Sequence, residues 1–220
     1  MNHGRHVPRM EEHMREILLS ILVAAIAYLL GCFSTGLTVS GAKGVDIRNR
    51  GSKNTGASNV LRVMGLKSGL ITFAGDFLKA ALACWIGSLI LPGTTFGIAR
   101  YGMMLAGLFA IIGHNWPVFY GFKGGKGVAC SAAVVFFVDP LWGSAAIVAC
   151  LAVIALTRFI SLGSMTMLFC YMVLMCIAHW GQWAVCLFTV VLFAMCVWRH
   201  RSNIHRLLSG TENRIGQKAK

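Results

Sequence analysis

VACSAAVVFFVDPLWGSAAIVACLAVIALT, residues 128–157, carries one charged side chain in thirty positions, and the way it crosses a membrane decides the fold. A bilayer's hydrocarbon layer of about 30 Å needs ~20 mostly apolar helical residues, with a range of ~17–25. Thirty such residues make either one long tilted helix or two short ones. Asp139-Pro140, near the middle, decides for two. Proline breaks or restarts a helix, and a carboxylate at mid-bilayer is costly. The stretch is expected to form a hairpin of about 125–138 and 140–157.

Working outward, further spans are expected at 17–40, 69–91, 100–120, 160–178 and 181–198, which gives seven crossings in an all-α integral membrane protein. Seven crossings put the loops after the first and third spans, Arg158 and the C-terminal tail on one side. That side then holds 15 of the 20 Lys and Arg residues, and the opposite loops hold only Arg100. Cytoplasmic loops are the ones enriched in Lys and Arg, so the shared side reads as cytoplasmic and the N-terminus as outside. Arg5, Arg9 and Arg15 in the N-terminal tail speak against this orientation and are outnumbered. The domain reading is a polar tail over 1–16 expected to lack order, a membrane domain over 17–212, and a basic tail over 213–220.

Composition agrees with a membrane protein. Hydrophobic residues make up 57% of the chain and charged residues 12%, with a mean hydropathy of +0.70. The net charge of +13 does not indicate nucleic acid, because no soluble basic domain and no aromatic-interleaved basic stripe is present. Basic loops beside apolar spans instead suit anionic lipid headgroups. The eight cysteines all fall in apolar segments and read as small buried hydrophobes. The histidines lack metal-ligand spacing, so neither a metal nor a cofactor is expected.

Polarity is concentrated in three islands: GSKNTGASNVLR (51–62), GHNWPVFYGFKGGKGV (113–128) and RHRSNIHRLLSGTE (199–212). In the first, Ser52, Asn54 and their small neighbours offer amides and hydroxyls to a phosphate, with Arg62 as a bidentate cation. A solvated loop of turn residues is the plain alternative. The second holds Gly124, Gly125, Lys126 and Gly127 at the entry to a helix, where free N–H groups and a dipole end face an anion. It is not a Walker loop, since Gly127 follows the lysine where Ser or Thr belongs. His114 reads either as a helix-end hydrogen-bond partner or as a base. In the third, His200 and Asn203 share a helical face that Arg206 continues. A snorkelling basic anchor explains its arginines but not His200 and Asn203. Asp76 and Lys79, three apart inside a span, are expected to neutralise one another. Ser161 and Ser164 lie on the same rim as the islands, as pocket groups or as partners of backbone carbonyls.

The segments YLLGCFSTG (28–36), GVDIRNRGSKNTGASNVLRVMGLKSG (44–69), DFLK (76–79), GHNWPVFYGFKGGKGVA (113–129), SLGS (161–164) and RHRSNIHRLLSGTE (199–212), in this order and spacing, resemble the bacterial acyl-phosphate:glycerol-3-phosphate acyltransferases, the PlsY family. The likeness runs from about Ala27 to Glu212. It implies a seven-helix enzyme of the bacterial cytoplasmic (inner) membrane, active on the cytoplasmic face. The reaction implied is transfer of a fatty acyl group from acyl phosphate to the 1-hydroxyl of sn-glycerol 3-phosphate, the first acylation of phospholipid synthesis. Its products are lysophosphatidate and phosphate. The resemblance further implies membrane lipids and an acyl-phosphate-producing enzyme as neighbours. By position it assigns substrate binding to Ser52, Asn54, Arg62, His114, Gly124, Gly125, Gly127, Ser161 and Ser164, and catalytic work to Lys126, His200 and Asn203. Cys130 and Ser58 stand where many members have threonine, Trp116 replaces a smaller aromatic, and Ser34 replaces a frequent proline.

An acyl phosphate is already activated, so no acyl-enzyme is required. The site must hold an alcohol near the carbonyl, stabilise an oxyanion and help phosphate leave. The chain contains no His-x-x-x-x-Asp, which leaves His200 as base or the departing phosphate as proton acceptor, with the second slightly favoured. The rival class is a transporter of a phosphorylated metabolite. Glycine-broken spans fit it, whereas the absence of an inverted repeat does not.

Overall fold

The computed structural model describes residues 10–217. Ten α-helices occur among them: α1 (Met10–Cys32), α2 (Thr35–Gly41), α3 (Ala57–Met64), α4 (Leu66–Ile90), α5 (Tyr101–Asn115), α6 (Val128–Val138), α7 (Pro140–Thr157), α8 (Ile160–Ala178), α9 (Trp183–Arg199) and α10 (Arg201–Leu208). A two-residue antiparallel ribbon, Thr94–Thr95 with Ile98–Ala99, turns the chain from α4 into α5.

Several boundaries depart from the sequence expectation. Helix α1 starts at Met10, so residues 10–16 of the expected polar tail are helical. Glu11 and Glu12 in the first turn complement the helix dipole there. Residues 1–9 of that tail and 218–220 of the C-terminal one lie outside the described residues. The span expected at 17–40 breaks at Phe33-Ser34, and the Ser34 hydroxyl caps α2 by accepting the Leu37 amide at 3.4 Å. The first island contains α3, which the small-residue pattern did not announce. It ends at Gly65, and Leu61 then packs against Gly69 of α4.

The break at Asp139-Pro140 falls where the sequence puts it. Asp139 caps α7, its carboxylate accepting the Trp142 amide at 3.2 Å, with Pro140 in the first turn where its missing N–H costs nothing. Among the described residues, five segments are long and apolar enough to cross a membrane: Met10–Gly41, Leu66–Ile90, Tyr101–Tyr120, Pro140–Thr157 and Ile160–Ala178. Helices α9 and α10, bent by 62° at His200, make a sixth if taken as one span. The seventh expected crossing corresponds to α6, whose 11 residues rise only about 16 Å. The residues before Val128, expected to be helical from about 125, are held in a glycine loop instead.

Helices α1, α4 and α5 pack on one another, and α6 is laid against α4, α5 and α7. Gly31 and Gly113 bring α1 and α5 into backbone contact: a Cβ on Gly31 would lie 2.2 Å from the Ala110 carbonyl oxygen, and one on Gly113 2.2 Å from that of Tyr28. Small residues at a crossing let helices approach where lipid supplies no hydrophobic drive between them. Cys130, Ala133, Val134 and Val135 of α6 are fully enclosed, so the short helix is the buried centre of the bundle. Helix α7 leans on α6 and α8, and α8 on α9. Between α4 and α7, with α6 behind, the bundle is open.

Candidate active site

That opening is a cavity of about 300 Å³. Its apolar part is formed by Leu70 and Phe73 of α4, Ala129 and Ala132 of α6, Leu151 of α7 and Met167 of α8. Leu70, Phe73 and Leu151 are also exposed on the outer surface of the bundle, so this part of the cavity opens sideways. Its polar part gathers all three islands. Ser52, Asn54 and Arg62, Lys126 and Gly127, and His200, Asn203 and Arg206 all border it, together with Ser161, Ser164, His114 and Glu212.

Local folding explains how each group arrives. Asn59, fully buried on α3, donates to the carbonyls of Ile47, Arg50 and Asn54 and accepts the Ser52 amide at 2.8 Å. One side chain thus winds the first island into a fixed loop, and α3 turns Arg62 toward the cavity. The glycine loop lies on the end of α5. A Cβ on Gly124 would sit 2.1 Å from the His114 carbonyl oxygen and one on Gly125 2.0 Å from His114 Nε2, so only glycine fits. Gly124 and Gly125 do not border the cavity. Their carbonyls accept from Arg199.

Lys126 donates to the Asn203 side-chain oxygen. Asn203 in turn donates to Glu212 at 2.7 Å. Glu212 also accepts from Ser161 at 3.0 Å and from Arg206 at 2.8 Å. Three short segments are joined through one carboxylate. Burial, with the Arg206 guanidinium nearby, pushes the Lys126 ammonium down to about 8, while Glu212 pulls it back up. Arg62 is lowered as well, by burial first and then by Arg206. The polar end therefore has an excess of confined positive charge, the condition that favours an anion. His200 is buried at the bend, with Nδ1 2.9 Å from the Cys196 carbonyl oxygen. That contact assigns the proton to Nδ1 and leaves Nε2 with its lone pair.

Two of the expected residues have a second role. Ser164 donates to the Ile160 carbonyl at 2.7 Å, the backbone partnership open to a helical serine. His114 is buried beside the Asp76–Lys79 ion pair: Asp76 and Lys79 are 3.0 Å apart, and Lys79 Nζ lies 3.0 Å from His114 Nδ1. The expected pair is a cluster of three. Glu212, Arg206 and Arg199 were not singled out as site residues by sequence reasoning. Arg206 had its helical phase with His200 and Asn203 as a signal; Glu212 and Arg199 act across contacts that no local spacing announces.

A phosphate-sized cationic end joined to a sideways-open apolar groove defines a membrane protein suited to an amphiphilic phosphate. A family model for glycerol-3-phosphate acyltransferase matches residues 21–210. The chain is 43% identical over 202 residues to the glycerol-3-phosphate acyltransferase of Thermoanaerobacter sp. (strain X514), covering 91% of this chain and 98% of that one. It is 40% identical over 206 residues to the enzyme of Clostridioides difficile (strain 630), covering 92% and 98%. The crystal structure of PlsY, an integral membrane glycerol 3-phosphate acyltransferase, in its glycerol 3-phosphate form matches with a TM-score of 0.81. Identity there is 38%, covering 90% of this chain and 96% of that chain. The lysophosphatidic acid form gives a TM-score of 0.78 at 36% identity, covering 90% and 95%. The chain belongs to the glycerol-3-phosphate acyltransferase family, and it is an integral membrane protein.

Proposed function

We propose that this protein transfers a fatty acyl group from acyl phosphate to the 1-hydroxyl of sn-glycerol 3-phosphate, yielding lysophosphatidate and inorganic phosphate. The single observation that carries this reading is the two-ended cavity. Arg62, Lys126 and Arg206 stand at one end, and an apolar groove leads from them to the lipid-facing surface. A fatty acyl phosphate matches both ends, with its phosphate directly beside the reacting carbonyl. Glycerol 3-phosphate and lysophosphatidic acid are also the ligands of the two crystal forms of PlsY that this chain resembles.

In the proposed reaction the 1-hydroxyl oxygen of glycerol 3-phosphate attacks the acyl carbonyl. The bond from acyl carbon to phosphate oxygen then breaks, and phosphate departs with the electron pair and takes up the hydroxyl proton. No side chain need gain or lose a proton in the net change. Lys126, Asn203 and Arg62 hold phosphate groups and the developing negative charge, which fixed donors in a dry site stabilise strongly. Ser52 and Asn54 complete the acceptor's phosphate pocket, with Gly127 admitting close approach. His200, its proton held on Nδ1 by the Cys196 carbonyl, presents Nε2 to the attacking hydroxyl and orients it.

The membrane arrangement proposed is seven crossings of the bacterial inner membrane, with the N-terminus outside and the cavity's polar end at the cytoplasmic surface. Helix α6, with 11 residues, is too short to span alone. Incubation of pure protein with acyl phosphate and glycerol 3-phosphate, followed by mass spectrometry, tests the reaction. Equimolar 1-acyl-glycerol 3-phosphate and phosphate are expected, and consumption of neither substrate would refute it.

A further inference from the structure

The side chain at position 199 enters no part of the reaction just given, yet it holds the glycine loop by two of its carbonyls. Arg199 Nε donates to the Gly125 carbonyl at 3.0 Å, and its Nη2 donates to the Gly124 carbonyl at 3.0 Å and to that of Gly125 at 2.5 Å. The guanidinium carbon lies 5.3 Å from the centre of the Trp116 ring, which covers its face. Trp116 is the residue that directly follows α5, and Arg199 is the last residue of α9. One guanidinium therefore ties the end of α5, the glycine loop and the end of α9 together.

We infer that Arg199 is a positioning residue that sets Lys126 against His200 and Asn203 by clamping the carbonyls of Gly124 and Gly125. The argument is geometric. Gly125 is fixed from the other side, its amide donating to the His114 carbonyl at 3.1 Å and its Cα pressed against the His114 ring. With Arg199 on the carbonyls, the loop has no slack, and Lys126 follows directly. Arg199 also immediately precedes His200, where the chain bends by 62° into α10, the helix that carries Asn203 and Arg206. The residue that holds one half of the site is thus adjacent in the chain to the other half. Arginine suits this task and lysine does not. A planar fork reaches two carbonyls at once while stacking on an indole, whereas an ammonium is a single point charge on a flexible stem.

The inference rests on the proposed acyl transfer for its rate prediction, but not for its structural one. In detergent, Arg199→Lys should raise hydrogen exchange of the amides of 123–127 selectively, with exchange in α4 and α8 unchanged; this readout needs no substrate. In turnover at saturating substrate, Arg199→Ala should lose ~100-fold, the scale of a misplacement of about 1 Å, while KM for glycerol 3-phosphate moves by much less. Guanidinium ion at millimolar concentration should restore part of that loss, and methylammonium should not. Arg199→Lys should retain the charge and recover only a small part of the rate. Unchanged exchange at 123–127 in Arg199→Lys would overturn the inference, as would equal rescue by methylammonium or Arg199→Ala turnover within a few-fold of wild type. Failure of the wild-type protein to turn over acyl phosphate would instead count against the proposed function, with the exchange comparison still deciding the role of Arg199.

Discussion

Binding of a phosphate dianion beside Lys126 should take up a proton from solution. In the free site burial and the nearby Arg206 bring this lysine from its ordinary 10.5 to about 8. Holding the charged form there therefore costs on the order of a few kcal/mol. Below pH 8 both folded and unfolded chains keep the proton. Between about 8 and 10.5 only the unfolded chain keeps it, so the free protein gains stability as pH rises through that window and loses it as pH falls through 8. A dianion restores the favourable charge and returns the lysine toward its ordinary range. At pH 8.5 a phosphate group has completed its second ionisation, near ~6 for a monoester, so Lys126 is the group that must gain the proton. Isothermal titration of the detergent-solubilised protein with inorganic phosphate, in two buffers of different ionisation enthalpy, reads the uptake directly. Most of one proton per phosphate is expected at pH 8.5, with affinity falling towards tenfold per pH unit well above 8. Lys126→Met should abolish the uptake. Proton release at pH 8.5, or an affinity flat to pH 10, would refute the electrostatic account of this end of the cavity.

Other perturbations separate the parts of the site. Arg62→Ala and Asn203→Ala should leave a folded, membrane-inserted protein with turnover reduced ~100-fold or more, comparable to loss of an oxyanion-stabilising donor; near-normal rates would break the shared-pocket argument. Glu212→Gln keeps the shape but presents an amide to Asn203, Ser161 and Arg206. It should cost about 1–3 kcal/mol, read as a lowered thermal midpoint together with lost activity, and an unchanged midpoint would count against its joining role. For the topology, a single cysteine at 139 in a cysteine-free background should label from outside the cell, and cysteines at 53, 123 and 202 only from within. Labelling of 139 from the cytoplasm would remove the seven-crossing arrangement.

Local rules made the backbone readable where one residue type decides. Proline and a carboxylate at 139–140 end one helix and cap the next, and this was legible without any tertiary knowledge. The islands were legible because polarity is so expensive in this chain that each patch of it invites a functional reading. What stayed hidden depends on partners far away in sequence. Helix α3 holds the preceding loop because Asn59 collects three of its carbonyls, a contact its composition does not advertise. Glu212 closes the third island with no local signal of a partner, yet it joins Ser161, Asn203 and Arg206. Nor does the tail stop there: Arg214 stacks on Phe159 and Ile215 donates to the Arg158 carbonyl at 2.9 Å. At Gly124 and Gly125 the close backbone approach is to His114. A glycine's neighbour is a tertiary fact, and sequence gives only the need for one.

The central claim is that the donor presents a phosphate dianion to Lys126 next to its carbonyl, and the choice of donor tests it most directly. Pure protein should be offered glycerol 3-phosphate with acyl phosphate or acyl-CoA of the same chain length, at equal concentration, with lysophosphatidate quantified by mass spectrometry. A thioester carries no charge at the reacting centre and its phosphates lie far from it. The account predicts product from acyl phosphate, essentially none from acyl-CoA, and ~100-fold less from acyl phosphate with Lys126→Ala. Comparable product from acyl-CoA, or a Lys126→Ala enzyme within a few-fold of wild type, would contradict it.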